Sequence, residues 1–353
     1  MKNFTLRWGI LSTARIIRRN WQGMRDSGAA TLVALASRDL GKATALVDEL
    51  QEEFPWPVKP EALGSYDSLI ANPEVDAIYI PLPTGLRKEW VIRAAKAGKH
   101  VLCEKPCAIS AADLKEMISC CERHGVLFMD GVMFMHDPRY AAIREILDNG
   151  VSVGSVKRIS SSFSFLGDKD FVGTNIRGQV DLEPTGCLGD LGWYCLRGIL
   201  WAMNWEMPYQ VSGRVLSEAC GKDGLPVIME FSGELDFADG ASGAFHCSFL
   251  TPGQMWFNVS GTAGYLRIPD FVVPIEENDV AWEVNYQRLL RDTKPGMSNQ
   301  ARMFARFAED ACGGVSALKW GGISLKTQML LDACVASART GKPVTLDNTS
   351  STA

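Results

Sequence analysis

The densest chemistry in the sequence lies in Ala97-Gly98-Lys99-His100-Val101-Leu102-Cys103-Glu104-Lys105-Pro106. A short apolar run ends at a charged pair, and the proline biases Lys105 toward extended backbone. At the carboxyl edge of a parallel sheet, where open α/β sheets bind ligands, a lysine ammonium can hydrogen-bond a substrate hydroxyl and share its proton. For an isolated Glu-Lys-Pro, a surface salt bridge between Glu104 and Lys105 is the simpler reading. A second group lies in Gly186-Cys187-Leu188-Gly189-Asp190-Leu191-Gly192-Trp193-Tyr194. Asp190 suits a helix N-cap, and a spacing of four carries Tyr194 onto its face. Taken alone, that is a capping Asp and a core Tyr; beside Lys105, the phenol and carboxylate would form a proton relay for oxidising an alcohol or reducing a carbonyl.

Two further positions bear on a cofactor. The first strand runs directly into a helix through Gly9-Ile10-Leu11-Ser12-Thr13-Ala14-Arg15-Ile16-Ile17. A dinucleotide fold places its G-x-G-x-x-G turn there, because helix-end amides can hold the pyrophosphate. The glycine positions are occupied by Ser12, Ala14 and Ile17, so the fingerprint fails. Ser12 and Ala14 are small enough to admit a phosphate but tolerate positive φ poorly, so an altered turn is expected. About 20 residues further on, where a carboxylate usually meets the adenosine ribose, stands Arg38, preceded by Ser37. A guanidinium fork matches a 2′-phosphate, which favours NADP over NAD. The alternatives are a solvated Arg38, or Asp39 as the ribose ligand in a register shifted by one.

These residues need a scaffold, and the first 130 residues supply a βα alternation. Thr5–Leu11, Thr31–Ala36, Val75–Ile80, His100–Cys103 and Val126–Asp130 read as strands. Arg15–Met24, Lys42–Glu52, Leu86–Ala97 and Ala111–His124 read as helices, the last two stopped by Gly98 and Gly125. Glu53–Pro60, with three prolines, reads as an inserted surface loop. Beyond about residue 131 comes a helix over Arg139–Asn149, then longer β-like runs separated by turns such as Ala238-Asp239-Gly240 and Gly261-Thr262-Ala263-Gly264, then helices over Asn299–Ala311 and Ile323–Arg339. The expectation is an α/β chain: a Rossmann dinucleotide-binding domain over 1–131, and an α+β domain over 132–353 on a large, mostly antiparallel open sheet. A second copy could cover the open face of that sheet, making a homodimer.

Composition narrows the function class. With 353 residues, 22% charged, 46% hydrophobic, a net charge of -5 and only four histidines, the chain reads as folded and carries no basic footprint for nucleic acid or anionic lipid. Its ten cysteines lack zinc spacing and are too dilute for a disulfide scaffold, so no metal is expected. No signal-peptide core or membrane span is evident, and a cytoplasmic protein acting on a small molecule is expected.

The sequence resembles the glucose-fructose oxidoreductase / inositol dehydrogenase (Gfo/Idh/MocA) family. The resemblance rests on AGKHVLCEKP, the G-x-L-x-D-x-G-x-Y block and the Ser-Gly-Thr-x-Gly turn. SYDSL, PLPT, MDGVM, FSFLGDKDF, NIR, GDLGWY and CSFL are similar to its dihydrodiol dehydrogenase / NADP-dependent D-xylose 1-dehydrogenase branch. It implies hydride transfer between NADP and a secondary alcohol, hemiacetal or carbonyl of a sugar or cyclic diol. Lys105 and Tyr194 would be the catalytic pair oriented by Asp190, and Arg177 and Trp193 would line the substrate pocket. Ser12, Thr13, Ala14, Arg15, Ile16, Ser37, Arg38, Pro81, Leu82, Pro83, Thr84, Arg87, Glu104 and Lys105 would meet the cofactor. Arg87 stands where relatives usually carry His near the nicotinamide. His136 is either a substrate contact or a structural histidine, and His246 is expected to be non-catalytic. Two rival readings are a non-enzymatic dinucleotide sensor of the same fold and a thiol aldehyde dehydrogenase using Cys103 or Cys107.

Overall fold

A computed structural model describes residues 5–275, 279–291 and 296–346. The chain divides into two units, Met1–Asp137 with Pro295–Leu325, and Pro138–Lys294 with Lys326–Ala353.

The first unit alternates β1 (Leu6–Leu11), α1 (Ile17–Asp26), β2 (Ala30–Ala36), α2 (Leu40–Glu53), β3 (Glu61–Leu63), α3 (Tyr66–Ala71), β4 (Ala77–Ile80), α4 (Thr84–Lys96), β5 (His100–Cys103), α5 (Ala111–Arg123) and β6 (Phe128–Asp130). Its strands lie in the order β3-β2-β1-β4-β5-β6 and all pair in parallel. Parallel strands covered on both faces must be apolar throughout. All four residues of β4 and the Val101-Leu102-Cys103 end of β5 are accordingly buried. The strand order reverses between β1 and β4, so a crevice opens at their carboxyl ends, where this class of sheet takes its ligands. Gly98 and Gly125 end their helices at φ of 73° and 64°, the left-handed conformation that suits glycine.

Two short elements, β3 and α3, follow the proline-rich stretch whose composition concealed them. That stretch is also less of a surface loop than expected, because Trp56 inside it is buried, with its ring 6.5 Å from that of Trp21.

The division differs from 1–131 and 132–353 by the segment Pro295–Leu325. The reason is the apolar stripe of the ninth helix, Asn299–Cys312. Phe304 and Phe307 lie with ring centroids 5.2 and 4.8 Å from that of Trp8 on β1. Asp310 on the same helix accepts a 2.7 Å bond from Trp320 Nε1 and pairs with Arg306 and Lys319.

The second unit contains a helix at Arg139–Asn149, a wholly buried helix at Trp193–Ala202, and a nine-stranded sheet. The fifth and sixth strands in its order, Val156–Ser164 and Ser242–Ser248, pair in parallel, and every other neighbouring pair is antiparallel. Asp270, fully buried and bridged to Met255 of a sheet strand, is pinned between Arg139 (2.9 Å) and Arg291 (2.6 Å), which compensates a charge that burial would otherwise make costly. Among the described residues no helix is long and apolar enough to cross a membrane.

Phe304→Ala should cost about 3–5 kcal/mol, the usual range for emptying a buried phenylalanine site. Urea unfolding followed by tryptophan fluorescence measures it; a cost under about 1 kcal/mol would detach this helix from the first unit's core.

Candidate active site

The turn after β1 adopts part of the geometry that glycines usually supply. Ser12 has a φ of 109°, a conformation uncommon for a residue with a side chain, and its Oγ accepts the Ala14 N–H at 3.1 Å. Such a residue stores on the order of 1–3 kcal/mol of backbone strain, repaid by its surroundings. Thr13 and Ala14 are half-buried and Arg15 and Ile16 exposed. No side chain caps α1 at Ile16, which leaves its first-turn amides unclaimed by side chains. Ile17, in the third glycine position, is fully buried in the cluster containing Trp8, Trp21 and Leu46. The core is therefore built around a larger residue there. Small side chains at the crevice and an uncapped helix end fit a dinucleotide pyrophosphate.

At the end of β2, Asp39, the alternative ribose ligand of the shifted register, has a structural role. Its Oδ1 caps α2 by accepting the Lys42 N–H at 3.1 Å. Ser37 Oγ accepts the Asp39 N–H at 3.2 Å, and Arg38 is exposed. Burial raises the Tyr66 phenol above its ordinary range while the Arg38 guanidinium, hydrogen-bonded to it, pulls the other way. Arg38 is thus steered by an aromatic hydroxyl, a partner that the sequence spacing did not reveal.

Lys105 follows β5 at the carboxyl edge, joined to Pro106 by a cis peptide bond. Glu104 is half-buried and bonded to the interior. Its Oε1 accepts a 2.7 Å bond from Tyr79 Oη on β4, and its Oε2 accepts the Lys105 backbone N–H at 3.2 Å. Asn20 on α1 donates to the same Tyr79 oxygen. The Tyr79 phenol is held well above its ordinary range, first by burial and then by the Glu104 charge. A side chain at Gly131 would put its Cβ 2.9 Å from Glu104 Oε1, so glycine there leaves room for the carboxylate.

Pro81, Leu82, Pro83 and Thr84 form the turn between β4 and α4, with Leu82 and Thr84 buried. Arg87 is buried on the first turns of α4 and donates to the carbonyls of Leu82 (2.7 Å), Glu104 (2.9 Å) and Pro106. The His136 ring lies 5.2 Å from that of Trp320, tilted by 38°. Burial pushes the Cys107 thiol well up from its ordinary range, with Cys103 adding to the shift, and both cysteines are buried. A thiolate nucleophile is disfavoured at Cys107.

In the second unit, Asp190 lies inside a π-helical turn, Leu188–Gly192, and does not cap the following helix, whose N-cap is Gly192. Its carboxylate is engaged instead by Arg177 in a two-point pair, Nε to Oδ2 at 2.7 Å and Nη2 to Oδ1 at 2.9 Å. Asp190 raises the Arg177 pKa further, against the opposing effect of burial; Glu183 and Tyr194 add to the field on the same guanidinium. Single π turns recur at functional sites. Tyr194 is buried to 8% exposure, its ring 5.5 Å from that of Phe163. Trp193 has no exposed surface, because every residue of its helix is buried. The expectation of a substrate-lining Trp193 is therefore corrected to a core role. His246 lies on a strand with its Nε2 3.0 Å from Glu230 and its Nδ1 3.3 Å from Ser162.

Comparison with known proteins agrees with this architecture. Residues 6–132 match the family model described as an oxidoreductase family with an NAD-binding Rossmann fold, and residues 140–267 match the GFO/IDH/MocA C-terminal domain. The chain belongs to the Gfo/Idh/MocA oxidoreductase family. It is 32% identical over 345 residues to a D-xylose 1-dehydrogenase (NADP(+)) of Haloferax volcanii, covering 96% of this chain and 99% of that protein. It is 31% identical over 277 residues to the trans-1,2-dihydrobenzene-1,2-diol dehydrogenase of Mus musculus, 77% of each chain. The 3-ketoreductase KijD10 of Actinomadura kijaniata, solved with NADP and TDP-benzene, shares the fold with a TM-score of 0.80 over 94% of this chain and 98% of that one, at 22% identity. As a Gfo/Idh/MocA member the protein is an oxidoreductase with an N-terminal Rossmann domain.

Asp190→Ala, which strips Arg177 of its two-point partner, should lower the unfolding free energy by about 1.5–3 kcal/mol, the range for charged hydrogen bonds. In a urea-denaturation cycle, Arg177→Ala with Asp190→Ala should cost less than the sum of the two single changes. Additive losses would show that the pair does not act as a unit.

Proposed function

We propose that this protein is an NADP-dependent dehydrogenase/reductase acting on a secondary alcohol or hemiacetal of a sugar or cyclic diol, or on the corresponding carbonyl. The observation that carries the reading is the placement of Lys105 at the carboxyl edge of β5, beside the switch-point crevice of an oxidoreductase Rossmann sheet. The named activities of the xylose and dihydrodiol dehydrogenases support the substrate class.

NADP supplies or accepts the hydride at nicotinamide C4. The backbone amides of the turn between β1 and α1 would hold its pyrophosphate and Arg38 its 2′-phosphate, with Ser12, Thr13, Ala14, Arg15, Ile16 and Ser37 shaping that end of the crevice. Pro81, Leu82, Pro83 and Thr84 border it on the nicotinamide side. In oxidation the substrate C–H bond would break with its electron pair leaving as hydride to NADP, while the hydroxyl proton would be relayed through the Tyr194 phenol, which gives up its own proton to a neutral Lys105 amine, and the carbon would become a carbonyl. Reduction returns the same proton to the carbonyl oxygen. Asp190 orients this pair and Arg177 fixes Asp190, while His136 borders the substrate.

The sheet face of the second unit turned away from the Trp193–Ala202 helix carries Ser160, Ser162, Ala244, His246 and Trp256, and we assign it to a homodimer contact. The chain mass of 38.7 kDa makes a dimer easy to distinguish from a monomer by sedimentation equilibrium; a monomer would remove this assignment. Ten free thiols suit a cytoplasmic location.

Lys105→Ala or Tyr194→Phe should reduce kcat with D-xylose or a trans-dihydrodiol by about 10²-fold or more, with NADPH binding retained. Arg38→Ala should weaken NADPH far more than NADH in a fluorescence titration. Undiminished turnover, or equal losses for both nucleotides, would overturn the corresponding assignment.

A further inference from the structure

The side chain of Arg87 is 5% exposed, yet all three of its hydrogen-bond acceptors are neutral main-chain carbonyls: Leu82, Glu104 and Pro106. Burying a guanidinium against uncharged acceptors is costly, and the usual return is fixed geometry. The geometry held here is specific. Leu82 belongs to the turn after β4, and Glu104 and Pro106 are the residues immediately before and after Lys105. One nitrogen, Nη1, takes both carbonyls that flank Lys105, while Nε reaches across to the neighbouring turn. From the other side, Glu104 Oε2 accepts the Lys105 N–H, and Glu104 is itself held by Tyr79. The Glu104–Lys105 peptide is thereby held at both its carbonyl and its N–H, and the Pro106–Cys107 peptide at its carbonyl, so the backbone is tied down on either side of Lys105 and its side chain departs from a fixed root.

We propose that Arg87 is a positioning residue for Lys105: its fork ties the turn after β4 to the carbonyls of the two residues flanking the lysine and so sets where the Lys105 ammonium stands. Its Nε and Nη1 donors go to the protein's own carbonyls, a role distinct from the direct cofactor contact expected of the position. A neutral imidazole has a single N–H donor and a lysine a point charge, so neither can reproduce a planar fork that spans two turns. The inference rests on the catalytic reading of Lys105 only for its effect on rate.

The test uses the full-length protein with Arg87→Ala and Arg87→Lys, each alone and combined with Lys105→Ala. The first readout is independent of turnover: the rate at which Lys105 is modified by trinitrobenzenesulfonate as a function of pH, read by peptide mass spectrometry, with exposed Lys115 as internal control. Both Arg87 variants should change the Lys105 rate by at least about threefold and shift its pH profile, and leave Lys115 unchanged. The second readout is kcat with NADP and D-xylose or a trans-dihydrodiol. Arg87→Ala should lower it by about 10- to 10²-fold, the scale of a misplacement near 1 Å, with NADPH affinity within about twofold. In the Lys105→Ala background the same change should have no further effect on kcat. Unchanged Lys105 labelling in a variant that melts like the parent would overturn the inference, as would an equal kcat loss with and without Lys105. If Arg87→Ala does not fold, Arg87→Lys retains the charge without the fork and decides by the same labelling. Full activity of Lys105→Ala alone would remove the catalytic reading of the lysine, and the labelling result would still decide whether Arg87 places it.

Discussion

The arrangement on which the rest of the first unit's site depends is the two-sided hold on the turn that follows β5. Above it, the Arg87 guanidinium gathers carbonyls from two turns; below it, the Glu104 carboxylate is anchored on Tyr79 and takes the Lys105 amide. Each of these polar groups is largely withdrawn from water, so each has to be satisfied internally, and satisfying them leaves the turn few alternative conformations. The site is therefore placed by buried polar atoms that have no chemical step of their own.

That hold works because of the sheet beneath it. Parallel strands with apolar residues on both faces bring the ends of β1, β4 and β5 to one edge, and the order β3-β2-β1-β4-β5-β6 opens the crevice where the order reverses. The absence of glycine in the fingerprint is accommodated in two different ways. Ser12 takes the positive φ itself and uses its hydroxyl locally, and Ile17 is absorbed by a core that contains Trp8 and Trp21. The glycine pattern is one solution to a demand for close backbone approach and tight helix packing, and here the two demands are met separately.

The second unit handles charge differently. Arg177 and Asp190 form a two-point pair at a π turn, and Asp270 takes two arginines in the interior. Pairing these charges makes their removal from water tolerable, and their planar geometry fixes the segments that carry them. A turn of π-helix also changes which residues share a face, so the four-residue spacing between Asp190 and Tyr194 does not translate into the cap-and-stack geometry of a regular helix.

The sequence by itself determined the βα alternation, the two glycine helix stops, the antiparallel character of the second sheet and the family, because hydrophobic period and turn chemistry are local properties. It also marked Lys105, Tyr194, Asp190 and Arg38 by type and spacing, and Arg177 through the family resemblance. Only the tertiary structure decided how these groups are held. It assigned Asp39 to a cap and left Arg38 beside Tyr66, buried Trp193 completely, and returned the ninth helix to Trp8 nearly 300 residues earlier in the chain. It also directed Arg87 to backbone carbonyls. The physical reason is common to all of these: a side chain's partners, and the loss of water around it, depend on residues distant in sequence, and no local pattern encodes which of them will meet.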